Sequence, residues 1–180
     1  MSKRVLCLLV DGFEEIEALT PVDLLRRAGA EVTLASVTGE RFVKGRSQVI
    51  VQADAELANV IHDAFDLLLI PGGPGVNALR YDGRAAKIAA EYARAGKPVA
   101  AICAAPTVLA DAGLLTGKRY TAHFSVFDEL KSALAEERVV EDGDLITSRG
   151  AGTALDFGLA LVRRLFGEEK AKEVAESIMA

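Results

Sequence analysis

The stretch Lys97-Pro98-Val99-Ala100-Ala101-Ile102-Cys103-Ala104-Ala105-Pro106 decides how the rest of the chain is read. Val99 to Ile102 is short and wholly apolar, the pattern of a strand covered on both faces and therefore of a parallel sheet. Pro106 suits the first turn of a helix, where its missing N–H costs nothing. A strand thus runs into a helix through a tight corner, and Cys103 stands at that corner. Similar apolar runs occur at 5–10, 32–35, 67–70 and 145–147, with helical segments at 15–28, 84–95, 106–112 and 153–166. In the last of these, Leu155, Leu159, Val162 and Phe166 step at helical spacing and form one buried stripe.

The pairs Ala28-Gly29, Ala95-Gly96 and Ala112-Gly113 close three helices, and a strand follows shortly after the first two. Strand, helix, glycine, strand is the grammar of βαβ units. Residues 41–51 depart from it: two short runs around Lys44-Gly45-Arg46-Ser47 predict a small β-hairpin insertion. No linker-like, repeated or low-complexity stretch divides the chain, so residues 1–180 are expected to form one domain. The predicted class is α/β, a single doubly wound, mostly parallel sheet flanked by helices on both faces (a flavodoxin-like sandwich).

A chain of 180 residues buries roughly 70% of the surface its unfolded form exposes. A core is therefore available without disulfides or structural metals. With 51% hydrophobic and 26% charged residues, the composition fits a soluble globular protein and excludes disorder. The net charge of -5 lacks the basic footprint of a nucleic-acid binder or a protein of anionic membranes. Two cysteines, Cys7 and Cys103, rule out a disulfide scaffold and fit a reducing compartment. The apolar run after Met1-Ser2-Lys3-Arg4 stops at Asp11, too short for an export signal, and none approaches the ~20 residues of a membrane span. A cytoplasmic location is expected.

Ligands in such folds lie beyond the carboxyl ends of the strands. At Cys103, unpaired N–H groups and the positive end of the following helix favour a thiolate. An ordinary cysteine, with a pKa of about 8.5, is only slightly ionised at neutral pH. A buried core thiol is the bland alternative, and it fits Cys7 inside its apolar strand. The glycines of Pro71-Gly72-Gly73-Pro74-Gly75 either let backbone N–H groups approach a ligand or form a plain tight turn. The carboxylates of Asp11-Gly12-Phe13-Glu14-Glu15-Ile16-Glu17 fit solvated charge at a helix start. Glu17 also fits an acid of raised pKa, held against Ala18, Leu19, Pro21 and Val22. His123 follows a short predicted strand at 119–122 and stands where a site residue would, whereas His62 reads as an exposed turn residue.

These histidines have no ligand-spaced partners, so no metal is expected. Gly150-Ala151-Gly152-Thr153 opens a helix after a strand, but the third glycine and later strand of a dinucleotide fingerprint are missing. It reads as a tight turn that packs helix on sheet. No cofactor is expected.

Glu14-Glu15-Ile16-Glu17 with Pro21-Val22-Asp23, Pro71-Gly72-Gly73 and Ala100-Ala101-Ile102-Cys103-Ala104 form a recognisable series. Thr147-Ser148-Arg149-Gly150 and Gly152-Thr153 complete it. In order and spacing, over nearly the whole chain, this series resembles the ThiJ/PfpI superfamily, and within it the ThiJ branch. The resemblance implies that Cys103 is a reactive thiol and Glu17 a protonated carboxyl bonded to it. It also implies an oxyanion hole of the Gly73 and Ala104 amides, His123 nearby, and a homodimer with the first helix at its interface. Two departures stand out. Ala105 replaces a glycine common in the branch, and Gly45-Arg46-Ser47 stands where relatives often show Cys-Ser-Arg. A second redox cysteine and an interface arginine are thereby shifted or absent.

The implied activity is a cofactor-independent, cysteine-dependent glyoxalase or deglycase. Its substrates would be methylglyoxal-type α-oxoaldehydes or their adducts with proteins and nucleotides. The alternative is an oxidative-stress sensor or redox-regulated chaperone working through oxidation of Cys103. A PfpI-type cysteine peptidase is the weaker reading, because the histidine that follows the cysteine in that branch is Ala104 here.

Overall fold

The computed structural model describes residues 2–180. The chain opens with β1 (Arg4–Leu9), α1 (Glu15–Arg27), β2 (Glu31–Ser36) and two hairpin strands, β3 (Phe42–Lys44) and β4 (Ile50–Gln52). Short β5 (Ala55–Glu56) and α2 (Leu57–Val60) lead to β6 (Leu67–Ile70), α3 (Val76–Asp82) and α4 (Arg84–Arg94). Next come β7 (Val99–Ile102), α5 (Pro106–Asp111), β8 (Val139–Asp142), β9 (Leu145–Ser148), α6 (Ala154–Phe166) and α7 (Glu168–Ser177). Seven strands form one sheet in the order β5-β2-β1-β6-β7-β9-β8, parallel except at the edge strand β8. β3 and β4 pair on their own as the antiparallel hairpin.

The strand sequences are continuously apolar because both faces of the sheet are covered. Val5, Cys7 and Leu9 of β1 join the core beneath α1 and α6, while Leu6 and Leu8 join the opposite core beneath α3, α4 and α5. β6 and β7 divide their side chains in the same way, and every residue in them is at most 1% exposed. Each fully buried leucine of this kind contributes on the order of 1.5–3 kcal/mol. Gly29 and Gly96 take φ of 95° and 64°, closing α1 and α4 in the left-handed conformation expected of them.

Residues 119–122 do not form the predicted strand. Both edges of β9 are already occupied by β7 and β8, so this segment finds side chains instead of a ladder. Asp142 accepts from the Arg119 amide at 2.9 Å, and Thr147 Oγ1 from the Thr121 amide at 3.0 Å. β8 and α3 have no counterpart among the expected elements. β8 reads Val139-Val140-Glu141-Asp142 and lies half-covered at the sheet edge, where continuous apolarity is not required. No helix among the described residues is long and apolar enough to cross a membrane.

The closest helix packing is α1 on α6, at Gly158. A Cβ there would lie 2.5 Å from Leu24 Cδ1 and 3.0 Å from Pro21 Cα. Gly158→Ala is expected to destabilise the fold by about 1–3 kcal/mol through overpacking, read as a lower urea midpoint at unchanged m-value.

Candidate active site

From β1 the chain winds outward to β2 and β5, then crosses to β6 and winds the other way. The crevice beyond the carboxyl strand ends at such a reversal is where this class of fold holds ligands. The loops after β1 and β6 touch there, backbone against backbone. The Glu14 amide donates to Gly72 O and the Gly75 amide to Gly12 O, both at 3.0 Å. Gly73 has φ 97°, and a Cβ on it would lie 2.5 Å from Gly12 O. Loop contact is therefore the first reason for the glycines of this turn.

α1 starts at the same crossing. Glu14 caps it, with Oε2 accepting from the Glu17 amide at 2.8 Å. That cap turns the first helical turn into the crevice, where Glu17 is 1% exposed. Glu17 Oε2 accepts from the Gly72 amide at 3.1 Å, and the carboxyl lies beside the Cys103 side chain and shifts its titration. Gly72 makes that meeting possible: a Cβ there would sit 2.5 Å from Glu17 Oε2 and 2.6 Å from Cys103 Cβ.

Cys103 is half-buried and adopts φ 66°, a left-handed conformation uncommon for a residue with a side chain. Strain of this kind costs on the order of 1–3 kcal/mol. Its backbone is held from both sides, the amide donating to Ser148 O and the carbonyl accepting from the His123 amide, each at 2.9 Å. The amides of Gly73 and Ala104 lower the proton affinity of its thiol.

Burial pushes the Glu17 carboxyl up to about 7, against the pull of the thiol and the Gly72 amide. Burial and then the charge of Glu17 push the Cys103 thiol up to about 12, opposed by the Gly73 and Ala104 amides. Burial and the charge of Glu17 therefore oppose the thiolate that the helix end favours. Cys7, fully buried in β1, has its thiol pushed far up by burial and is a core residue as expected.

A model of the DJ-1/PfpI family matches residues 3–164. The chain belongs to the DJ-1/PfpI family. Protein dj-1beta of Drosophila melanogaster is 42% identical over 183 residues, covering 99% of this chain and 98% of that protein. The crystal structure of Drosophila melanogaster DJ-1beta has a TM-score of 0.93 at 41% identity, covering 100% of this chain and 99% of that one. Protein/nucleic acid deglycase 2 of Escherichia coli (strain K12) is 36% identical over 154 residues, covering 83% of this chain and 90% of that protein. An oxidized Toxoplasma gondii DJ-1 structure has a TM-score of 0.93 at 35% identity, covering 99% and 98%.

In this DJ-1/PfpI chain the side chain of His123 is not joined to the thiol. Its Nδ1 lies 2.9 Å from Ser125 Oγ, and its ring packs on Phe124. Burial, and then the charge of Arg46, push the imidazole below its usual range. Arg46 also acts on Glu17, so the hairpin brings a positive charge toward the site although its arginine is displaced by one position. A Cβ at Gly45 would lie 2.3 Å from Glu15 Oε1, so a side chain there would displace the Glu15 carboxylate. The methyl of Ala105 points away from the site, fully buried in the core beneath α3, α4 and α5.

Gly72 and Gly150 are the site residues that sequence reasoning did not single out as such. A Cβ at Gly150 would lie 3.4 Å from the His123 ring and 3.9 Å from Glu17 Oε1. Both stand inside motifs already noted, but only contacts between distant loops distinguish them from turn glycines.

The pH dependence of stability follows from Glu17. Its carboxyl titrates near 4.5 when unfolded and at about 7 when folded. The folded state therefore keeps a proton that the unfolded state releases, and stability falls as pH rises through that window. Glu17→Gln removes the titration while preserving shape. Urea unfolding at pH 5 and pH 8 is expected to show a smaller loss in the variant, by on the order of 2–3 kcal/mol.

Proposed function

We propose that the chain is a cofactor-independent glyoxalase or deglycase acting on α-oxoaldehydes such as methylglyoxal, free or as protein and nucleotide adducts. The observation that carries this reading is the buried Glu17 carboxyl beside the Cys103 side chain, both lying against Gly72 at the carboxyl ends of the strands. The relationship to a protein named for deglycation supports it.

In the first step the sulfur attacks the aldehyde carbon as the thiol proton passes to ionised Glu17. No standing thiolate is needed, which suits the raised pKa of Cys103. The developing oxyanion is stabilised by the Gly73 and Ala104 amides and takes the proton back from Glu17, giving a hemithioacetal. Glu17 then removes the hydrogen from that carbon and delivers it to the neighbouring one through an enediol. The first carbon is oxidised and the second reduced, leaving a 2-hydroxy thioester. Water cleaves it to lactate and regenerates the thiol, so methylglyoxal plus water balances to lactic acid. A carboxyl titrating at about 7 gives and takes protons with little penalty at neutral pH. Lactate formation from methylglyoxal without glutathione is expected, falling at least ~100-fold in both Cys103→Ser and Glu17→Gln. Unchanged rates in either variant would sink the assignment.

A second reading, an oxidant sensor, is favoured by the half-buried Cys103 beside an acid and two amides that favour its anion. Two equivalents of peroxide, each reduced to water, would carry Cys103 to a sulfinate held by those donors. After mild peroxide treatment, mass spectrometry is expected to find two added oxygens on Cys103 and none on Cys7. Even labelling of both thiols, or none on Cys103, argues against sensing.

A further inference from the structure

A groove of about 550 Å³ opens beside His123 and Gly150, outside the contact of Glu17 with Cys103. Gly150 stands between the two spaces. A Cβ on it would lie 3.4 Å from the His123 ring, which lines the groove, and 3.9 Å from Glu17 Oε1 in the crevice. The groove therefore adjoins the reacting end of the crevice.

Its chemistry differs from that of the rest of the chain. The net charge of the protein is -5, yet the lining carries two arginines, Arg138 and Arg149, and no carboxylate. Arg138 is already committed, donating to Asp156 Oδ2 at 2.6 Å and to Gly152 O at 3.0 Å. Arg149 is half-buried and donates only to Ala135 O, at 2.9 Å, and no carboxylate pairs with it among the described residues. A guanidinium has five N–H donors in a planar fork suited to carboxylate or phosphate. The lining is also aromatic: Phe124 is 75% exposed, and Phe127 lines the same space.

We infer that this groove is the subsite for the part of the substrate beyond the reacting carbons, and that Arg149 binds a carboxylate or phosphate there. The inference rests on the glyoxalase or deglycase reading and narrows it to adducts carried on anionic molecules. Free methylglyoxal carries no anionic group and gains no charge-assisted bond from Arg149. Arg149 is thus a specificity residue, outside the bond-making steps.

The test compares matched substrates differing in one charge. Methylglyoxal adducts of N-acetylcysteine and its amide probe a carboxylate; adducts of guanosine 5′-monophosphate and guanosine probe a phosphate. The charged member of at least one pair is expected to show roughly tenfold higher kcat/KM, carried by KM, as for one charge-assisted bond in a half-exposed groove. The pair showing the preference identifies the anion. Arg149→Gln should bring the ratio near one with free methylglyoxal turnover unchanged, and Arg149→Lys should restore part of it. A ratio that survives Arg149→Gln, or an equal loss on charged, neutral and free substrates, overturns the inference. If the wild-type protein turns over none of these compounds, the proposed activity itself has failed. The subsite is then judged by protection of Cys103 from iodoacetamide. Guanosine 5′-monophosphate or N-acetyl-lysine should slow alkylation more than guanosine or N-acetyl-lysine amide, and only with Arg149 present. Equal protection by charged and neutral members overturns it.

Discussion

Two acids pressed together out of water cannot both carry a charge, and the crevice of this protein is arranged around that constraint. Glu17 and Cys103 come from elements far apart in the chain, one on the first turn of α1 and the other at the end of β7. Glu17 raises the proton affinity of Cys103, the thiol lowers that of Glu17, and burial raises both. Below about pH 7 the pair keeps on its carboxyl a proton that a separate glutamate would release.

The fold sustains this at a cost borne by its backbone. Cys103 is held in a left-handed conformation by bonds to Ser148 on one side and His123 on the other. Gly72 and Gly73 are bare because side chains there would strike the acid, the sulfur or the neighbouring loop. The cap formed by Glu14 keeps the helix start in register, so that Glu17 faces inward among apolar neighbours. Rigid parallel strands beneath these loops supply the stiffness that keeps the strained corner from relaxing.

Much of the architecture was legible in the sequence because a sheet covered on both faces needs unbroken apolar strands. The runs at 5–10, 67–70 and 99–102 announce β1, β6 and β7, and the glycines after α1 and α4 mark their ends. The edge strand β8 was not legible, since an edge tolerates Glu141 and Asp142. The strand expected at 119–122 failed because the ladder positions beside it were already filled, which no local pattern reveals. The corner that places Cys103 could be read from Pro106 and the preceding run; the partnership of Glu17 with that thiol came only from family likeness.

The sequence by itself determined the layers of the fold, the order of strand and helix, and the position of one cysteine at a strand end. These follow from local patterns of apolarity and turn chemistry, which act over a few residues. Only the tertiary structure decided that burial and a neighbouring acid push the thiol's proton affinity up against the pull of the helix end. Desolvation and charge–charge contact depend on which distant groups share a space, and no stretch of neighbouring residues carries that information. For the same reason the pairing of Arg138 with Asp156, and the lack of such a partner for Arg149, emerged only when the loops were brought together.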